Sequence, residues 1–170
     1  MNNTIFKKSI AILLSLTLLA TLASCGELHP ANKAKREAVG IFESIKNQDI
    51  KKLNALFTED VRDTHDLDEE WEEFFDSIDG DIVSYGSISS GGEGASYDYG
   101  IVTYSHVVIY INDVKTDTGM VYEYIAYNVT CVDKKHPERE GVGLFSLKVP
   151  SDNDEGYEEV IVGEIITYYD

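Results

Sequence analysis

Residues 66–89 read DLDEEWEEFFDSIDGDIVSYGSIS, and the hydrophobic period changes inside that stretch. Leu67, Trp71, Phe74, Phe75 and Ile78 recur at spacings of three and four, which places them on one side of a helix. Asp66 and Glu69 stand three apart at its start, the spacing of a capping box in which the first side chain accepts from an orphan backbone N–H. Gly80 is expected to end the helix, since glycine enters the left-handed region without a Cβ penalty. Beyond Gly80 the period falls from about 3.6 to about 2, the change from helix to strand.

Outward from this switch, everything upstream reads as helix and everything downstream as sheet. Within residues 33–47, Ala34, Ala38, Ile41, Phe42 and Ile45 form one apolar stripe. A short second helix follows Asp49, a suitable N-cap, with Ile50, Leu53, Leu56 and Phe57 on its inner face before Thr58. Downstream, segments 81–89, 97–112, 119–133, 142–149 and 158–169 are rich in Val, Ile, Tyr and Thr and read as strands. The glycine-rich run 91–94 reads as a flexible connection, 117–119 as a hairpin turn, 134–141 as a loop carrying Pro137, and 151–156 as a polar loop. Helices followed by consecutive strands without crossover helices predict an α+β domain, its N-terminal helices packed on one face of an antiparallel sheet.

The first residues predict a different fate. Lys7 and Lys8 precede an apolar run over residues 10–23, a basic segment followed by a hydrophobic one as in a secretory signal. The run is shorter than the ~20 residues a helix needs to cross ~30 Å of hydrocarbon. Leu22-Ala23-Ser24-Cys25 resembles a lipobox, in which the cysteine sulfur takes a diacylglycerol. The expected organisation is a lipoprotein signal peptide over 1–24, lipidated Cys25 and a tether over 25–32, and one α+β domain over 33–170. Each buried CH₂ of the lipid contributes ~0.8 kcal/mol, so two acyl chains would hold the protein on the extracytoplasmic face of the cell membrane.

Removing residues 1–24 takes away two lysines and no acid, leaving twelve basic against thirty-one acidic residues, a net charge of −19 in place of −17. Such a surface repels phosphate, which argues against nucleic acid and anionic lipid headgroups as partners. Cys131 is the only other cysteine. With Cys25 acylated no intrachain disulfide forms, and the apolar setting of Cys131 predicts a small buried hydrophobe.

The helical hairpin, the helix ending Trp71-Glu-Glu-Phe-Phe-Asp-Ser-Ile-Asp-Gly80, and Tyr85 with a glycine-rich turn before long strands carry a resemblance over residues 33–150. The chain resembles an uncharacterised clostridial lipoprotein family, domain-of-unknown-function family 5104, and is similar to the cone-shaped, nuclear-transport-factor-two-like folds. The resemblance implies a curved sheet whose helices enclose a pocket, and a place at the cell envelope. It transfers no catalytic residue.

Some relatives of that fold use a pocket carboxylate as a base. Glu123 lies among Val121, Ile125, Tyr127, Val129 and Cys131 on one alternating face, and Glu164 among Val160, Val162, Ile166 and Tyr168 on another. Enclosed together, these acids would have raised pKa values and serve as general acid or base; at strand edges they would simply reach solvent. Tyr104, His106 and Tyr110 alternate along a third strand as hydrogen-bond donors, and Trp71, Tyr104, Tyr110, Tyr124 and Tyr127 form the candidate pocket. The acids of the third helix, from Asp68 to Asp76, read as its solvated face. His29, His65, His106 and His136 lack ligand spacing, residues 89–94 carry Glu93 where a phosphate loop needs lysine, and no Gly-x-Ser-x-Gly elbow occurs, so neither metal nor cofactor is expected.

Three readings of function follow. The leading one is a non-catalytic, lipid-anchored module that binds a small ligand or a segment of a partner protein in a concavity lined by tyrosines and aliphatic residues. The second is a small acid–base enzyme of ketosteroid-isomerase-like type using Glu123 or Glu164. The third is a cell-envelope assembly protein that forms a homodimer through the open sheet face.

Overall fold

A computed structural model describes residues 30–150 and 156–164; the signal segment, Cys25, most of the tether, residues 151–155 and residues 165–170 lie outside the described residues. Helix α1 spans Pro30–Lys46, starting three residues before the expected segment 33–47. Proline fits a first helical turn because its missing N–H would be unpaired there, so residues 30–32 of the expected tether are helical. Helix α2 (Ile50–Asn54) is capped by Asp49, whose side chain accepts from the Lys52 N–H at 3.3 Å. Helix α3 (Glu59–Thr64) has no counterpart in the sequence reading. Its one buried residue, Val61, leaves no periodic stripe to detect, and what starts it is the Thr58 hydroxyl accepting from the Val61 N–H.

Helix α4 (Leu67–Asp76) begins as expected, with Asp66 accepting from the Glu69 N–H. It ends earlier than expected, at Ser77, whose backbone N–H and hydroxyl both bond the Glu73 carbonyl. Gly80, at φ 85°, serves the turn beyond, where Asp117 and Thr118 approach so closely that a Cβ would collide with the Asp117 carboxylate.

Six strands form one antiparallel open sheet: β1 (Ile82–Ser84), β2 (Ser87–Asp98), β3 (Ile101–Thr116), β4 (Val121–Asp133), β5 (Gly141–Pro150) and β6 (Tyr157–Gly163). The order is β1-β3-β4-β5-β6, with β2 also on β3. β1 and β2 share one edge of β3 in succession, Ile82 opposite Thr116 and Ser87 opposite Asn112. Together with the helices this is the α+β architecture the sequence predicts.

One connection is corrected. The glycine run 91–94 is not a loop but the middle of β2, where the register slips between Gly91 and Gly94 and Gly92 has φ 59°. The glycines make an edge-strand bulge and leave room for the His106 ring, which lies so close over Gly94 that a Cβ there would overlap it. The chain reverses instead at Tyr99 and Gly100, both with positive φ, as a tight hairpin turn requires.

The helices cover one face of the sheet. Val107, Ile109, Ile111, Ile125, Tyr127, Phe145, Leu147 and Val162 point inward against Phe42, Ile45, Phe57, Trp71 and Phe74, and all are buried. Trp71 stacks on Phe75 at 5.4 Å and meets Phe74 and Phe145 at 5.1 Å, an aromatic knot that ties α4 to the sheet. Tyr110, Tyr124, Ala126, Leu144, Ser146 and Lys148 alternate with the core residues and face the other way.

Candidate functional site

The loop after β4 is built around Asp133. This residue is buried, and its Oδ1 accepts the N–H groups of Lys135 at 3.1 Å and His136 at 3.0 Å, closing a local turn. Its own N–H donates to Glu140 Oε1 at 2.9 Å. Pro137 opens a single 3-10 turn, Pro137–Arg139, fixed by bonds from the Arg139 N–H to the His136 carbonyl and from the Glu140 N–H to that of Pro137. The Lys134 N–H donates to the Thr103 carbonyl at 2.9 Å and pins the loop to β3.

Between this loop and the far end of the β2–β3 hairpin lies a cleft of about 310 Å³, lined by Ser96, Thr103, Tyr104, Asp133, Lys135, His136 and Arg139. The Thr103 hydroxyl donates to the Ser96 carbonyl at 3.2 Å, holding the opposite wall together. Burial pushes the Tyr104 phenol above its ordinary pKa and the Asp133 charge adds to the rise, while a hydrogen bond with Thr130 works against it. Tyr104 therefore stays protonated at neutral pH. The cleft offers hydroxyls on one wall and cationic side chains on the other, groups suited to orienting a small polar molecule.

Of the candidate pocket residues, only Tyr104 enters this cleft. Trp71 and Tyr127 are fully packed in the core; the Tyr127 hydroxyl donates to the Ala34 carbonyl at 3.3 Å. Both sit there because large aromatics gain most by complete removal from water. Tyr110 and Tyr124 pair edge to face at 5.4 Å on the opposite face, where they line a smaller depression of about 170 Å³ with Ala126 and Ser146. His106 stands beside Tyr104, ring centroids 5.5 Å apart, and its Nδ1 is buried without a partner among the described residues.

Glu123 and Glu164 do not converge. Glu123 is 55 % exposed and bonds Lys148 Nζ at 2.6 Å. It leaves the inner face because the alternation shifts phase: Tyr122, buried with its hydroxyl accepting the Asp79 N–H, and Ile125 both point inward. Glu164 follows the end of β6, is 56 % exposed, and stands 3.9 Å from His65 Nε2. His65 Nδ1 is 2.7 Å from Glu70, whose other oxygen accepts the Gly163 N–H at 2.6 Å, so this cluster clasps α4 to β6. Both carboxylates are more than half exposed and stand at separate places on the sheet.

Cys131 is half-buried, and burial, with the Glu37 charge adding to it, pushes its thiol up to about 11. Among the described residues no three His, Cys, Asp or Glu side chains gather as metal donors. Ser96, Thr103, Asp133, Lys135 and Arg139 were not singled out in the sequence, and His136 was weighed there only as a metal ligand. The signal that finds them is charge: Lys134, Lys135, His136 and Arg139 fall within six residues of a strongly acidic chain, where Pro137 reads only as a turn.

Residues 40–155, more than half of the chain, match the family model described as Domain of unknown function (DUF5104). No curated protein matches.

Proposed function

The chain belongs to the DUF5104 family, and from its own residues we propose that it is a lipid-anchored, extracytoplasmic binding module that holds a small ligand in the Tyr104 cleft without transforming it. The observation that carries this reading is the cleft itself: about 310 Å³ bounded by hydroxyls and cations on a loop held by its own hydrogen bonds. The exposure of Glu123 and Glu164, each engaged by a basic side chain, favours binding over acid–base chemistry.

The anchor rests on the basic start, the apolar run and the lipobox-like Leu22-Ala23-Ser24-Cys25. Among the described residues no helix is long and apolar enough to cross a membrane. The order of helices before an antiparallel sheet supports reading the domain as cone-shaped and nuclear-transport-factor-two-like.

Native mass spectrometry of the full-length protein, purified from its host in detergent, tests the reading. A small molecule that co-purifies with the wild type and is absent from Tyr104→Ala supports it. A wild type that carries nothing, and takes up nothing from a metabolite panel, overturns it. The edge-to-face pair Tyr110–Tyr124 on the open sheet face favours a homodimer as a second reading, which a monomer at all concentrations in sedimentation would eliminate.

A further inference from the structure

We infer that the Tyr104 cleft takes a compact oxyanion, the carboxylate or phosphate group of a small molecule, received by Lys135 and Arg139 with the hydroxyl-bearing wall opposite. The inference rests on the cleft being a binding site and names the chemistry that site selects.

The chain carries fourteen basic against thirty-one acidic residues, yet four basic side chains, counting His136, fall between positions 134 and 139. Three of them line the cleft, against a single acid. That acid, Asp133, is already engaged, its Oδ1 accepting two backbone N–H groups of the loop. The other two acids of the loop are engaged as well, Glu138 with His136 Nδ1 at 3.2 Å and Glu140 with the Asp133 N–H. Lys135 Nζ, by contrast, makes no ion pair among the described residues, and its side chain is exposed at the cleft's rim.

The net charge of −17 does not forbid an anion here. At physiological ionic strength charges beyond about 8 Å are largely screened, so the side chains lining the cleft, and not the net charge of the chain, set the potential inside it. Lysine supplies a point charge and arginine a planar pair of donors, the combination that suits carboxylate and phosphate oxygens. The loop's internal bonds hold the backbone of both residues before any ligand arrives, which lowers the ordering cost of binding. The same net charge excludes a nucleic acid, whose many phosphates extend beyond the cleft.

The test titrates the full-length protein in non-ionic detergent with inorganic phosphate, succinate, glycerol and choline, followed by ligand-observed NMR and calorimetry. The expected result is saturable binding of phosphate or succinate that weakens between about 20 and 200 mM salt and falls about tenfold in Lys135→Ala and Arg139→Ala. Lys115→Ala, on the far end of β3, should leave it unchanged. Phosphate binding without succinate, or the reverse, identifies which oxyanion the site prefers. Glycerol or choline binding that is lost in Tyr104→Ala, with neither anion bound, overturns the oxyanion inference and leaves the cleft a binding site. Anion binding indifferent to salt and to Lys135→Ala overturns it too, and no binding of any probe removes both the inference and the reading beneath it. Lys135 is exposed, so its alanine variant folds and reports even where Arg139→Ala does not.

Discussion

At the scale of single residues, the structure separates side chains that the sequence groups together. Five aromatics were candidates for one pocket, and they divide among the core, the open face and the cleft, because alternation along a strand assigns a side but not what covers that side. Cys131 is half-buried and packs against the core, where its apolar neighbours predict a fully buried side chain. Its thiol is pushed up to about 11 in the folded protein, against an ordinary value of 9.0. The thiolate is the reactive form, so alkylation of Cys131 should be slow at neutral pH and rise to a midpoint near 11, which iodoacetamide kinetics with peptide mapping will read. Between about 9 and 11 the unfolded chain releases this proton while the folded chain keeps it, so this thiol's contribution falls as pH rises through that window and levels above it. A midpoint near 9 would show that the thiol is not desolvated.

Among the elements, the caps were readable and the clasp was not. Asp49 and Asp66 cap their helices as their positions predict, since a side chain accepting from a backbone N–H three residues on is a local event. The bond from the Gly163 N–H to Glu70 spans ninety-three residues, and nothing near either position announces it. Glu70→Ala should remove that acceptor and the His65 partner at once, loosening β6 from α4 at a cost of about 1–3 kcal/mol. Amide exchange at Gly163 should accelerate markedly, while the β3–β4 amides keep their protection in proportion to the global loss. Equal acceleration in β3 and β4 and at Gly163 would mean that the clasp is not a local unit. The glycine run of β2 likewise has loop composition, and only its pairing with β3 explains its place in a strand: Gly92 takes positive φ in the bulge and Gly94 lies under the His106 ring.

For the whole molecule, position and charge work together. The anchor proposal predicts that Cys25→Ala moves the protein from the membrane fraction to the soluble one and removes incorporation of a clickable palmitate analogue. Membrane retention with unchanged labelling would sink it. The chain's net charge of −17 disfavours polyanions, while one short loop concentrates cations at a cleft.

The sequence by itself determined the α+β class, the order of helices before strands, and the caps that start α2 and α4. These follow from periodicity and capping, which depend on residues within a few positions of one another. Only the tertiary structure decided that Trp71 and Tyr127 are core, that Glu123 and Glu164 face solvent apart from each other, and that Tyr104 meets Lys135 and Arg139 across a cleft. Those outcomes depend on which strand lies beside which, on bulges that shift the phase of alternation, and on which face the helices cover. They arise from contacts between distant parts of the chain, and local pattern carries no record of them.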